Sequence, residues 1–397
     1  MNLGDGFIKP RYDEGGFADL PRRIRAAFAS GEYDAVVLLL ADGFGWRFVE
    51  RFSQMPFIRR YGGQGRLQKL TAQFPSTTAA HLTTLHTGLP VGESGVYEWF
   101  YYEPQLDRMI APLLFSFAGD RNRDTIRASK VDPRLLFPST TLYEALAEQG
   151  VRSHVYSLRD YTPSTYSTVV MRGAEVKSFK TLPEALVNAG AALESRTGPT
   201  YLHLYFDKID ALCHEYGPAA PQTEAEIETF LLVMEHFFAR TFQGKGRLLF
   251  LMTADHGACD VDPKTTIFLN LEKRFEGIKR FLKRNAAGDL LVPAGSARDM
   301  FLYVQDDLLE EAQRFLSERL EGRGQVVKVS DLAEAGYFGP VVSDAFWRRA
   351  GNLVILMNGG ESVWWFVKNK FEQKFRGHHG GLTPEEMEIP LFSTSLE

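Results

Sequence analysis

Four short stretches of the chain carry side chains whose types and spacing can do chemistry. The first is Thr71-Ala-Gln-Phe-Pro-Ser-Thr-Thr-Ala-Ala-His-Leu-Thr-Thr-Leu-His-Thr-Gly88. Pro75 and Ser76 are turn and cap residues, Ala79 to Leu85 forms helix readily, and Gly88 stops it. Thr77 and Thr78 therefore fall at a helix N-terminus, where unpaired N–H groups and the helix dipole favour an anion. A hydroxyl there is placed to attack phosphorus once its proton is removed, and a divalent cation can do that. The plain alternative is that both threonines only cap the helix.

The groups that could hold such a cation lie elsewhere. Asp42 follows the apolar run Ala35-Val-Val-Leu-Leu-Leu-Ala41 and precedes Gly43 and Gly45. Asp210 and His214 are four apart, so on a helical turn they point the same way. Asp255 and His256 end the apolar run from Leu248 to Thr253. His378 and His379 sit among three glycines in the tail, a loop with little bulk that can reach into a site. Each piece alone also fits a surface pair, a cap or a turn. Taken together, Asp42, Thr78, Asp210, His214, Asp255, His256 and one tail histidine mix oxygen and nitrogen donors in a way that suits two divalent ions, each with an open place for substrate.

The elements needed to bring these groups together follow from the apolar pattern. The apolar runs at 35–41 and 248–253 read as strands buried on both faces, and 151–158 and 201–206 read as further strands. Between them lie helical stretches at 20–29, 138–150, 182–195 and 224–242. This alternation predicts an α/β fold: a three-layer α/β/α sandwich around a mostly parallel sheet, whose strands deliver their C-terminal ends to one edge. From Ile267 to about 351 the texture changes to basic clusters with strands at 299–304 and 325–329 and a helix at 307–320. That piece reads as a small α+β cap inserted in a catalytic unit made of 1–266 and 352–397. The run Trp99-Phe-Tyr-Tyr102 either walls a pocket or packs under the sheet, and the stretch from Asp107 to Phe117 reads as buried.

Bulk properties narrow the function. The chain has 397 residues, a net charge of -5 and 24% charged residues. The acidic balance argues against binding a nucleic-acid polymer, which needs a basic face. No stretch approaches the length of a membrane span. Two cysteines, Cys213 and Cys259, exclude a disulfide framework. Met1 to Pro10 lacks a basic start followed by an apolar run, so the expected location is the cytoplasm. A homodimer is compatible with the sequence and no stretch demands it.

The ordered set of motifs resembles the alkaline phosphatase superfamily, in the branch of type I phosphodiesterases and nucleotide pyrophosphatases. The likeness runs from Val36-Leu-Leu-Leu-Ala-Asp-Gly43 through Pro75-Ser-Thr-Thr78 with Thr87-Gly88, Asp210-x-x-x-His214 with Gly217-Pro218, and Asp255-His-Gly257 to His379-Gly380. The resemblance implies Thr78 as nucleophile, one metal held by Asp42, Asp255 and His256 with the Thr78 oxygen, and another by Asp210, His214 and His379. It implies a phosphothreonine that water then releases, and a small phosphate ester or nucleotide as substrate. Zinc fits the mixed donors, and manganese or iron nearly as well. The chain departs from the family at Ser94-Gly95, where His-Gly is common, and near Glu98 or Trp99, where an asparagine often steadies the phosphoryl oxygen. Trp99, Glu98 and Lys208 are the candidate substrate contacts. The competing readings are a phosphomonoesterase or phosphonate hydrolase on the same scaffold, and an inactive metal-stabilised binding protein.

Overall fold

The run Ala35–Ala41 is buried along its whole length, and it forms the central strand of the main sheet. In a computed structural model, which describes residues 3–63 and 66–397, it pairs in parallel with Thr200–Phe206 on one side and Leu248–Thr253 on the other. Arg152–Leu158 and Ala174–Phe179 extend the parallel set beyond Thr200–Phe206. On the opposite flank Glu388–Leu396 runs antiparallel between Leu248–Thr253 and Leu67–Thr71, which completes a seven-stranded sheet. Strands covered on both faces are mostly apolar, as these central ones are. The first two residues of the stretch read above for a leader lie outside the described residues.

Helices cover the sheet. The longest, Pro221–Phe242, buries Ile227, Phe230, Leu231, Met234 and Phe238 on one stripe, as its spacing predicts. Leu182–Glu194 begins at Thr181, whose side chain accepts the Glu184 N–H, and buries Leu182, Ala185, Leu186, Ala189 and Leu193. No helix among the described residues is long and apolar enough to cross a membrane.

A second, four-stranded antiparallel sheet stands beside the first, ordered Ala294–Gly295, Asp299–Leu302, Leu353–Met357, Gly324–Lys328. It has its own apolar cluster, which includes Phe281, Met300, Leu302, Leu316, Ile355 and Trp364. Leu353–Met357, which the sequence division at 351 leaves with the catalytic unit, pairs inside this small sheet. Val363–Trp364 likewise pairs with Ile267–Phe268. Three of the basic residues of 273–284 are ion-pair partners: Arg274 meets Glu272 and Glu321, Arg280 meets Glu311, and Lys283 meets Asp306.

Two local features differ from the pattern read above. The tail from Glu388 onward is a strand that the pattern does not assign. Pro390 obscures it in sequence, because proline cannot donate to a ladder and marks an edge or an interruption. The stretch Asp107 to Phe117 is only partly buried. It supplies Arg108–Ala111 and Ser116–Phe117 to a three-stranded sheet with Tyr101–Glu103.

Candidate metal centre and substrate cavity

The parallel strands end together, and the singled-out residues end with them. Asp42 follows Ala35–Ala41, while Asp255 and His256 follow Leu248–Thr253. Helix Lys208–Tyr216, which leaves the end of Thr200–Phe206, carries Asp210 and His214 one turn apart. His379 arrives from the far end of the chain on a loop pinned to the turn before Thr78. Its Nδ1 donates to the Ser76 carbonyl at 2.9 Å, the Gly380 N–H donates to Ser76 Oγ at 3.1 Å, and Ser76 Oγ donates to the Gly381 carbonyl at 2.7 Å. Gly380 has φ +122°, and a Cβ there would lie 2.2 Å from Ser296 Oγ and 2.6 Å from Asp299 Oδ1. Only glycine fits that approach.

The ligand-type atoms form two adjacent groups, Asp210/His214/His379 and Asp42/Asp255/His256, with the atoms of each group within 4.8 Å of one another. The tautomers follow from the hydrogen bonds. Nδ1 of His214, His256 and His379 lies 2.9 Å from the carbonyls of Gly377, Gly257 and Ser76 respectively. A carbonyl only accepts, so each Nδ1 carries the proton and each Nε2 presents a lone pair. These lone pairs face each other and face carboxylates. His214 Nε2 and His379 Nε2 are 3.2 Å apart, and His214 Nε2 is 3.3 Å from Asp210 Oδ2. His256 Nε2 is 3.4 Å from both Asp42 Oδ1 and Asp255 Oδ2. Asp42 Oδ1, Asp210 Oδ1 and Asp255 Oδ2 are buried and have no hydrogen-bond partner among the described residues.

Such an arrangement is repulsive from every side unless positive charge sits in it, and backbone-anchored imidazoles with free Nε2 are what metal ligation requires. The residues present therefore fit divalent cations. The electrostatics agree. Burial raises the Asp42 carboxyl well above the usual range, and the charges of Asp255 and Asp210 add to the shift. Burial also pushes Asp210 up, but His214, His379 and His256 draw it below the ordinary carboxylate value. His379 is held well below the usual imidazole range by burial and by His256, whose ring stacks on it at 3.6 Å.

The two threonines part company here. Helix Thr78–Thr87 starts where the sequence places it, but Thr77 makes no capping bond through its side chain. Thr77 Oγ1 turns to the Tyr97 carbonyl at 3.4 Å, whereas Thr78 Oγ1 lies 3.1 Å from His256 Nε2. His81 fixes this start. The Gln73 N–H donates to its Nε2 and its Nδ1 donates to the Thr77 carbonyl, both at 2.8 Å. Sequence reasoning gave His81 no role. It also missed Tyr205, whose hydroxyl donates to Asp42 Oδ2, and Tyr161, whose hydroxyl donates to Asp207 Oδ2. The available signal was the polar residues His203 and Tyr205, two apart in an otherwise apolar strand.

A cavity of about 500 Å³ opens beside Thr78 and both groups. Glu98, Trp99 and Phe100 line it. Glu98 is fully buried and is pushed up to about 8 by that burial, against the opposing pull of the Trp99 N–H and of Asp299, which hydrogen-bond to it. Of the aromatic run, Trp99 and Phe100 face the cavity, while the Tyr101 ring stacks on Tyr97 in the core. Lys208 is not among the lining residues; it is half exposed, with Nζ 3.2 Å from Asp207 Oδ1.

Comparison with known proteins matches this geometry to a family. A family model described as type I phosphodiesterase / nucleotide pyrophosphatase matches residues 36–382. Among solved structures, murine ectonucleotide pyrophosphatase / phosphodiesterase 5 superposes with a TM-score of 0.65 at 15% identity, over 90% of this chain and 87% of that one. The human counterpart gives the same values. Phosphonoacetate hydrolase from Sinorhizobium meliloti 1021, in complex with phosphonoformate, gives a TM-score of 0.62 at 15% identity, over 91% of this chain and 89% of that one. The alternation of buried strands and helices, the edge where their polar residues meet and the extent of the family match lead to one conclusion: the chain belongs to the type I phosphodiesterase / nucleotide pyrophosphatase family of the alkaline phosphatase superfamily and is a metal-dependent phosphoric ester hydrolase.

Proposed function

We propose that this protein hydrolyses phosphoric diesters or pyrophosphates through a covalent phosphothreonine on Thr78. Asp42, Asp255 and His256, with the Thr78 oxygen, would hold one divalent cation, and Asp210, His214 and His379 the other. Histidine and carboxylate donors in groups of three suit zinc, with manganese or iron as alternatives. When bound, the ions supply the positive charge that lowers the hydroxyl pKa and offsets charge building on the phosphoryl group.

The protein's own atoms do the rest. Thr78 Oγ1 attacks phosphorus, the P–O bond to the departing alcohol or phosphate breaks, and the threonine ester of the remaining phosphoryl group is left. Water then attacks that phosphorus and returns Thr78 as the free hydroxyl. The first N–H groups of helix Thr78–Thr87 lack intrahelical acceptors, as at any helix start, and would favour the anionic phosphoryl group. The Nδ1 bonds to backbone carbonyls keep each imidazole from rotating between steps. The observation that carries the reading is the convergence of three proton-free Nε2 atoms and three unpartnered carboxylate oxygens, with the Thr78 hydroxyl on His256 Nε2.

The test combines metal analysis with two substrates. About two metal ions per chain are expected, with a 4-nitrophenyl phosphodiester turned over faster than 4-nitrophenyl phosphate. Thr78→Ala is expected to lose at least about a thousandfold of the diester rate while retaining its metals. Undiminished turnover by Thr78→Ala removes the nucleophile assignment, and preference for the monoester makes the protein a phosphomonoesterase.

A further inference from the structure

The cavity does not end at the metal ligands. Thr78, Leu82 and His86 are spaced four apart on one helix, so they share a face, and all three line the cavity. His203 and Tyr205 alternate on strand Thr200–Phe206 and line it from the sheet side. At 1.5 Å per residue, His86 lies about 12 Å along the helix from Thr78. Val155, Ser157 and Tyr166 complete the deep end. A chamber thus runs inward from the attacking hydroxyl, between the helix and the sheet.

Its polar groups are unmet. His203 is fully buried, and neither of its ring nitrogens has a hydrogen-bond partner among the described residues. His86 is equally buried. Its Nδ1 meets the Tyr143 hydroxyl at 2.6 Å, but its Nε2 has no partner. The two rings are 5.5 Å apart, edge to face. Buried polar atoms are nearly always hydrogen-bonded, so three unpartnered nitrogens lining one cavity ask for a ligand or for water. Burial moves His203 down to about 3 and His86 well below its ordinary value, so both rings are neutral; His203 offers a donor and an acceptor, and His86 offers its Nε2 alone. None of the side chains named at the deep end carries a charge, and an ionised group there would be stranded.

Resting on the phosphodiesterase reading above, we propose that this chamber receives one arm of the ester, and that the arm ends in an uncharged hydrogen-bonding group recognised by His86 and His203. Two kinds of arm offer that chemistry, the edge of a nucleobase and the hydroxyls of a polyol. His86 and His203 act here as specificity residues that touch the arm, remote from phosphorus.

The experiment compares three diesters of 4-nitrophenyl phosphate that differ in the second alcohol: methanol, glycerol and the 5′-hydroxyl of thymidine. Metal-loaded wild type is expected to favour the glycerol or the thymidine ester over the methyl ester, and which one identifies the source. His203→Phe is expected to lower kcat/KM for the favoured ester about tenfold relative to the methyl ester, because a site built to pair polar groups discriminates through them. Leu82→Trp, which fills the passage rather than its end, should lower the same ratio. His203→Gln, which keeps a donor and an acceptor, should restore part of it. A ratio unmoved in both His203→Phe and Leu82→Trp overturns the proposal, since a chamber holding only water predicts that result. Wild type that turns over all three esters alike overturns the chamber while leaving the phosphodiesterase reading intact. Wild type inert toward all three overturns both.

Discussion

Arg298 offers the sharpest test of how the small sheet supports the site. It heads the largest fully buried side chains, and its partner Glu386 is equally buried. Arg298 Nε and Nη2 each donate to Glu386 at 3.0 Å, Nη1 donates to the Asn358 carbonyl at 2.8 Å, and Nη2 to the Met357 carbonyl at 3.2 Å. Glu386 in turn accepts the Gly381 N–H at 3.0 Å and the Thr383 hydroxyl at 2.7 Å. One ion pair thus joins strand Asp299–Leu302 of the small sheet to the loop that carries His379. Arg298→Met leaves the Glu386 carboxylate buried without a counter-charge, and breaking a buried pair this way costs about 3–5 kcal/mol. With an unfolding entropy of about 2.1 cal/mol/K per residue, a chain of this size loses about 4–6 °C in melting temperature. Replacing both partners, Arg298→Met with Glu386→Leu, should recover much of the loss, because no lone charge remains. The assay is calorimetry of metal-free and metal-loaded protein, with metal retention after dialysis as a second readout. Retention should fall in the single variant, since Gly381 lies two residues from His379. Arg298→Met melting within about 1 °C of wild type, or a double variant no better than the single, refutes the reasoning.

Other expectations follow from the same geometry. Tyr205→Phe removes the hydroxyl that orients Asp42 and should weaken metal binding about tenfold or more, as measured by competition with a chelator. Lys208→Ala should change kcat/KM by less than about twofold, because Lys208 is half exposed and does not itself line the cavity. Glu98 gives a pH signature. Its carboxyl is raised to about 8 in the folded protein, so between its unfolded value and that pH the native state holds a proton that the unfolded chain has lost. The contribution of Glu98 to stability is therefore greatest in mild acid and falls as pH rises from about 5 to about 8. Glu98→Gln, which cannot ionise, should flatten that part of a melting-temperature profile, and an unchanged slope would assign the loss to other groups.

Much of the site was legible because local chemistry is written locally. Aspartate just past a wholly apolar run, two ligand-type residues one helical turn apart, and a threonine at a helix start are patterns of a few residues, and each kept its place in the fold. Other features depended on distant segments. Thr77 and Thr78 are equivalent by residue type; the family likeness singles out Thr78, and the fold turns Thr77 to the Tyr97 carbonyl and Thr78 to His256. Leu353–Met357 reads as an ordinary apolar strand, and only its partners Asp299–Leu302 and Gly324–Lys328 show which sheet owns it. Lys208 is near the motif in sequence yet turns to Asp207, because adjacent residues at a helix start point in different directions.

The amino-acid order by itself settled which atoms are available for chemistry, that buried strands alternate with helices, and that the strand ends gather at one edge. Those follow from side-chain type and period, which need no knowledge of partners. Packing across hundreds of residues decided the rest: which nitrogen of each imidazole bears its proton, which carboxylate oxygens stay unpartnered, how the last loop locks onto Ser76, and that the cavity continues inward to His86 and His203. Each of these is set by a contact between segments that no local window contains, so the folded chain alone specifies it.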